Sequence, residues 1–304
     1  MNRFSRRQFL AGAAAATGAA AFGGRFAWAA ADGSKVTAGT DLVALGRTGI
    51  KSTVLGIGTG TRGGREQCSM GPDGFSRLLR HGYERGIRYI DTADMYKSSD
   101  YKAHMLVRDA IKGLPREEFF IQTKTRAKDA EAAKADIERF RQELGTDYFD
   151  SLLMHCMTTK PWPNDMRPVM DVLHEAKAKG IVRAVGVSCH GYDPLVSSSE
   201  CDWCDVHLVR INPFGDKMDL QSAEEPDSQI KPANIAAQIK KMHKLNHGVI
   251  GMKVFGETGF DSPEKRLESL KYVLGLGAVQ AFTIGFTSTQ QIDETLAMIE
   301  KALA

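Results

Sequence analysis

The sequence predicts a single (β/α)8 TIM barrel with an N-terminal β-hairpin plug, and three observations carry that prediction. Short apolar runs alternate with amphipathic stretches to the end of the 304-residue chain. Eight such units fit into about 250 residues, the size at which a parallel barrel closes. The competing doubly wound sheet also alternates strand and helix. However, although Gly58, Gly60 and Gly63 of "GIGTGTRGG" (56–64) are spaced as G-x-G-x-x-G, no obvious helix starts within that run.

Element by element, "ALGRTGIKSTV" (44–54) reads as the hairpin and "TVLGIGT" (53–59) as the first strand. The first helix, "DGFSRLLRHGYERG" (73–86), closes on Gly86, a C-cap residue. "IRYIDTA" (87–93) and "YKAHMLVRDAIKG" (101–113) form the second unit, "FFIQTKT" (119–125) and "AEAAKADIERFRQELG" (130–145) the third. "DYFDSLLMHC" (147–156) precedes the helix "RPVMDVLHEAKAKG" (167–180), and "VRAVGVSC" (182–189) precedes a short helix near Pro194 to Ser199. "DVHLVRIN" (205–212) leads through the polar insertion 213–229 to "IKPANIAAQIKKMHKLN" (230–246). "GVIGMKVFG" (248–256) with "SPEKRLESLKYVLGLG" (262–277), and "AFTIGFT" (281–287) with "STQQIDETLAMIEKALA" (288–304), complete the eight.

Ahead of the barrel (41–304) and its linker (31–40), residues 1–30 have the pattern of a twin-arginine export signal. "SRRQFL" (5–10) places Arg6 and Arg7 before an Ala/Gly stretch, and "AWA" (27–29) offers small residues for cleavage. The expected destination is the periplasm, with the twin-arginine machinery as a partner. Arg3, Arg6, Arg7 and Arg25 account for four positive charges and no acid accompanies them, so their removal takes the formal charge from +3 to −1. Such a charge gives no case for nucleic-acid binding. No segment approaches the roughly 20 apolar residues of a membrane helix, so no membrane insertion is expected after cleavage.

Chemistry concentrates where apolar runs end. Asp91 and Tyr96 lie in "GIRYIDTADMY", Lys124 in "FFIQTKT" and His155 in "DSLLMHC". In a parallel barrel the C-terminal strand ends converge, and catalytic groups sit there. Reduction of a carbonyl needs a proton on oxygen from an acid matched to working pH. A free phenol, at about 10, is too weak, but a neighbouring ammonium lowers it. Taken singly, each residue has an ordinary structural role; taken together at four matching positions, they describe a proton-transfer site.

These segments resemble the aldo-keto reductase superfamily. The likeness rests on "LGRTGIKSTVLGIGT", "GIRYIDTADMY", "IQTKT", "DSLLMH", "GIVRAVGVS", "GMKVFGETG" and "IGFTSTQQIDE", in that order from about Leu42 onward. It implies an NAD(P)-dependent oxidoreductase that reduces an aldehyde or ketone to an alcohol, or the reverse. Tyr96 is then the general acid, Lys124 and Asp91 tune it, and His155 orients a small-molecule carbonyl substrate. The implied cofactor is NADP, with NAD possible. Its expected contacts are Ser188, Cys189, Gly285, Thr287, Ser288, Gln291 and Glu294.

Several of these depart from the family pattern. Cys189 stands where an Asn is usual and Leu208 where a Gln is usual. Ile211 occupies the place of the aromatic that stacks on the ring, with Phe214 as a substitute, and Gly285 and Gln291 replace basic residues. Thr287 and Ser288 also suit simple capping of the last helix. A second reading, a nucleotide-retaining barrel that binds or senses without efficient turnover, draws on these departures. A third is an isomerase or lyase using the same tyrosine.

Other residues stay open at this level. Arg210 shares a strand face with Leu208; facing inward it would bind a carboxylate or phosphate, facing outward it would pair among the helices. Lys253 carries the same two readings. "CDWC" (201–204) is either a local disulfide or a pair of reduced thiols, and with no thioredoxin-like surroundings in the sequence no redox-catalytic role is expected of it. No metal site is expected. "LLMHC" and "GVSCHG" look closest to the superfamily branch with an iron–sulfur tail, but no cysteine cluster lies between them and Ala304, so no such cluster is expected.

Overall fold

The computed structural model describes residues 33–94, 96, 102–218, 230–257 and 262–304. The expected export signal and first linker residues, most of the segment after Tyr96 and the greater part of the 213–229 insertion lie outside the described residues.

Strands β1 (Leu42–Ala44) and β2 (Lys51–Thr53) pair antiparallel as the expected hairpin. The backbone N–H of Arg47, in its connection, donates to Asn246 O at 2.7 Å, just ahead of a barrel strand, so the hairpin closes the N-terminal end. The barrel strands follow: β3 (Leu55–Gly58), β4 (Tyr89–Asp91), β5 (Phe120–Thr125), β6 (Phe149–Met157), β7 (Val182–Cys189), β8 (Val206–Arg210) and β9 (Gly248–Met252). A short β10 (Val254–Glu257) precedes β11 (Ala281–Ile284). Every barrel pairing is parallel, and β11 pairs with both β3 and β9, which closes the ring at eight strands.

The helices are α1 (Arg65–Ser69), α2 (Gly71–Glu84), α3 (Ala103–Ile111), α4 (Ala130–Leu144), α5 (Trp162–Asp165), α6 (Arg167–Ala178), α7 (Tyr192–Ser199), α8 (Pro232–Lys244), α9 (Pro263–Gly275) and α10 (Thr289–Leu303). Their local causes are visible. Asp129 caps α4 by accepting from Ala132 N at 2.8 Å, and Gly145, left-handed at φ 62°, ends it. Ala133, Ile137, Phe140 and Leu144 recur at helical spacing and form its buried face. Ser288 caps α10 in the same way, accepting from Gln291 N at 3.3 Å.

Register settles which residues face the barrel interior. Gly58 pairs with Asp91, Asp91 with Gln122, Lys124 with Leu153, His155 with Ser188, Ser188 with Leu208, and Arg210 with Met252. Parallel partners share a face, and every second residue along a strand returns to it. Asp91, Lys124, His155, Ser188, Leu208, Arg210 and Met252 therefore all point inward. Arg210 takes the inward option. Ile90, Ile121, Leu152, Val187 and Val249 occupy the alternate positions and are buried beneath the helices. Buried on both faces, these strands read as continuous apolar runs rather than alternating ones.

Candidate active site

All eight barrel strands supply a lining residue to one cavity of about 220 Å3 at their C-terminal ends. Gly58, Asp91, Lys124, His155, Ser188, Arg210, Met252 and Thr283 come from the strands, and Tyr96 from the segment after β4. The four residues singled out for proton transfer are thus brought together.

Lys124 and Asp91 form a buried pair. Lys124 Nζ donates to Asp91 Oδ1 and to Thr92 O, each at 2.7 Å, and Gln122 Nε2 donates to the same carboxylate oxygen at 2.9 Å. The side chains are only 4% and 10% exposed, so neither charge could persist there alone. The carboxylate therefore fixes the ammonium on the wall of the cavity.

Tyr96 is held by a residue that sequence reasoning missed. Thr59 Oγ1 shares a 3.0 Å hydrogen bond with the Tyr96 hydroxyl and a 3.1 Å one with Thr92 Oγ1. Gly60 makes room for the ring: a Cβ there would lie 2.2 Å from Tyr96 Cε1. The only sequence signal for either was the glycine-rich segment after β3.

His155 is turned into the cavity, and burial, with Lys124 and Arg126 next in effect, holds its pKa well below the usual histidine value. It is therefore neutral near pH 7. Its Nδ1 is buried and makes no hydrogen bond. The next residue, Cys156, has φ 62°, where the β6–β7 register slips between His155 and Met157. This bulge turns two successive side chains toward one cavity, which regular alternation forbids.

A further imidazole was not anticipated. His190 lines the cavity; its Nδ1 accepts from Arg210 Nη2 at 2.6 Å and its Nε2 lies 3.4 Å from Cys156 Sγ. Burial first, then Arg210, lowers its pKa to about 3. Arg126 Nη2 reaches the same sulfur at 3.5 Å. His155, Cys156 and His190 place potential metal ligands within 4.8 Å of one another. Guanidinium groups nevertheless donate to the lone pairs that a metal would need, and their charge opposes a cation. Lys253 at the rim, with φ 58°, is paired with Glu257.

The residues expected to hold a nucleotide divide. Ser188 Oγ is buried without a hydrogen-bond partner on the cavity wall, as is Thr283 Oγ1, and Gly285 also lines the cavity. Such unsatisfied groups fit an amide-bearing ring. Leu208, buried on the same inward face, offers no amide for it. Cys189 alternates away from the interior: it is buried, and its thiol donates to Pro194 O at 3.4 Å beneath α7. Ile211 is fully buried, whereas Phe214 is exposed and carries Lys265 Nζ over its ring, 4.7 Å from the centroid.

Thr287, Ser288 and Gln291 satisfy one another at the start of α10. Gln291 Oε1 accepts from Thr287 N at 2.8 Å, in addition to the Ser288 cap. Glu294 is paired with the buried Arg266 at 3.2 Å. These four residues do not reach the cavity lining. Residues 219–229 of the insertion lie outside the described residues.

Comparison with known proteins agrees with this geometry. The Aldo/keto reductase family model matches residues 54–268. An alignment of 176 positions that covers 51% of this chain shows 26% identity to an Escherichia coli K12 protein named NADH-specific methylglyoxal reductase and covers 51% of it. Another alignment, of 115 positions covering 36% of this chain, shows 36% identity to methylglyoxal reductase DkgB of Escherichia coli O157:H7 and covers 40% of it. The chain thus spans about half the length, or less, of these curated relatives. Among solved structures, an aldo-keto reductase from Bacillus halodurans in its holo form superposes with a TM-score of 0.67 at 16% identity. That match covers 86% of this chain and 94% of that one, and at such identity it bears on the fold alone. With the family model spanning most of the barrel, the chain belongs to the aldo/keto reductase family.

Proposed function

We propose that this protein is an NAD(P)H-dependent oxidoreductase that reduces an aldehyde or ketone to an alcohol, or runs the reverse. One observation carries the proposal: Tyr96, Lys124, Asp91 and His155 line a single cavity, with the lysine charge held there by a buried carboxylate.

A bound nicotinamide would supply the hydride, and Ser188 and Thr283, whose hydroxyls are buried without partners on the cavity wall, would hold its ring end. The chain's own residues handle the proton. The Tyr96 hydroxyl donates it to the carbonyl oxygen, and the ammonium of Lys124 in the same cavity favours the phenolate left behind. Thr59, bonded to both Tyr96 and Thr92, fixes the direction of the phenol. His155 is neutral and orients the carbonyl by hydrogen bonding, without adding charge. Arg126, Arg210 and Lys253 make the rim cationic. The small aldehydes named for the relatives are the first substrates to test. NADP is the first nucleotide to test and NAD the second, since neither Gly285 nor Gln291 offers a charge for a 2′-phosphate.

Export by the twin-arginine route to the periplasm is part of the same proposal. Its support is "SRRQFL" followed by the Ala/Gly stretch and "AWA". A route that carries folded cargo lets the nucleotide travel already bound. Arg6→Lys with Arg7→Lys should hold the protein in the cytoplasm; undiminished export of that variant would refute the assignment.

Fluorescence titration with NADPH and NADH, followed by absorbance assays over an aldehyde and ketone panel, tests the enzyme reading. Tight binding with no turnover on any substrate would count against it.

A further inference from the structure

At the opposite end of the barrel from the cavity, the chain leaves α7 and enters β8 through Cys201, Asp202, Trp203 and Cys204. Cys204 N donates to Cys201 O at 3.1 Å, so the four residues form a hydrogen-bonded β-turn. A β-turn brings its end Cα atoms within about 7 Å, and a disulfide spans about 4.4–6.8 Å between Cα atoms. Both cysteines are free thiols, and the Cys204 thiol makes a hydrogen bond to Cys201.

The two sulfurs differ in access. Cys204 is fully buried, whereas Cys201 is half-buried and opens on a groove shared with Trp203, Glu200, Ser197 and Lys160. An accessible thiol backed by a buried one in an i, i+3 turn suits thiol–disulfide exchange, since one sulfur can be attacked from solvent and the other lies within reach to resolve it. Their acidities separate in the same sense. The bond from Cys204, with backbone N–H groups of Trp203 and Cys204, lowers the Cys201 pKa to about 6, against burial and the Asp202 carboxylate. Burial pushes the Cys204 thiol well above its usual value.

We propose that Cys201 and Cys204 form a thiol–disulfide exchange site for accessible disulfides of the glutathione kind, with Cys201 as the attacking sulfur and Cys204 as the resolving one. The Cys201 thiolate attacks one sulfur of the external disulfide; that S–S bond breaks and its other half leaves as a thiolate. Cys204 passes its proton to a departing thiolate, attacks Cys201 Sγ and expels the second half. The protein pair loses two electrons and becomes a disulfide, while the external disulfide gains them and becomes two thiols. The site is separate from the reductase cavity and does not depend on the activity proposed for it.

The test uses the full chain in buffers of rising oxidised-to-reduced glutathione ratio, with peptide mass mapping. Wild type should lose two hydrogens on the peptide holding Cys201 and Cys204 before Cys68 is modified. Cys204→Ser should trap one glutathionyl group on Cys201, and Cys201→Ser should leave Cys204 unmodified. Iodoacetamide alkylation of unmutated protein should label Cys201 at least tenfold faster than Cys204, a readout independent of how well either variant folds. Equal labelling of the two thiols, or a pair that stays reduced while Cys68 is glutathionylated, would overturn the proposal.

Discussion

Gly60→Ala carries a steric cost set by the packing of the Tyr96 ring against the Gly60 backbone. The added methyl would lie 2.2 Å from Tyr96 Cε1, 2.8 Å from Cζ and 2.9 Å from the hydroxyl oxygen. Carbon atoms rest at about 3.5–4.0 Å, so the ring must retreat by more than about 1 Å. That displacement breaks the 3.0 Å bond to Thr59 and removes the phenol from the line of proton transfer. A misplacement of about 1 Å at reacting groups costs on the order of 100-fold in rate, or about 2.7 kcal/mol of transition-state stabilisation. The assay is steady-state reduction of a small aldehyde at saturating nucleotide, with nucleotide affinity measured separately by fluorescence. The rate should fall about 100-fold while affinity changes less than about threefold. Repeating the substitution in a Tyr96→Phe background isolates the cause, because residues acting through one another give non-additive losses. There Gly60→Ala should cost little. A full 100-fold penalty in that background would refute the argument that Gly60 acts by placing the Tyr96 hydroxyl.

Lys124→Met should leave the buried Asp91 carboxylate uncompensated and destabilise the fold by about 3–5 kcal/mol in urea unfolding. Adding Asp91→Asn should restore part of that stability but none of the activity, separating the structural from the chemical role of the pair. The acid limb of stability should follow the buried imidazoles. His190 and His207 titrate at about 3 in the folded protein, mainly because they are buried, against about 6.5 unfolded. The unfolded chain therefore binds more protons between those values. Their contribution is complete above about pH 6.5 and is lost as pH falls toward 3, with a slope of up to about 1.4 kcal/mol per pH unit for each. Urea midpoints that stay flat from pH 7 to 4 would contradict this.

The strand–helix alternation, and the convergence of Asp91, Tyr96, Lys124 and His155 on one cavity, were legible because both are local in sequence. Apolar runs give strand cores, and the chemistry sits at or just beyond their ends. The orientation of Cys189 was legible too: it directly follows the inward Ser188, so alternation turns its thiol outward, toward Pro194 O. Thr287 and Ser288 do take the capping role that the sequence allowed at the start of α10, joined there by Gln291. Thr59, His190 and Arg126 stayed hidden because their importance rests on contacts 30 or more residues apart. The bulge at Cys156 was hidden for a different reason, since it arises from a slip in register between two strands.

If Tyr96 delivers the proton to a carbonyl beside a bound nicotinamide nucleotide, its hydroxyl is essential to turnover and dispensable for nucleotide binding. Tyr96→Phe tests it most directly, with NADPH and NADH affinity and carbonyl reduction measured on the same preparation. The account predicts nucleotide binding within about threefold of wild type and turnover lowered by about 100- to 10,000-fold. Turnover that survives the loss of the hydroxyl would contradict it.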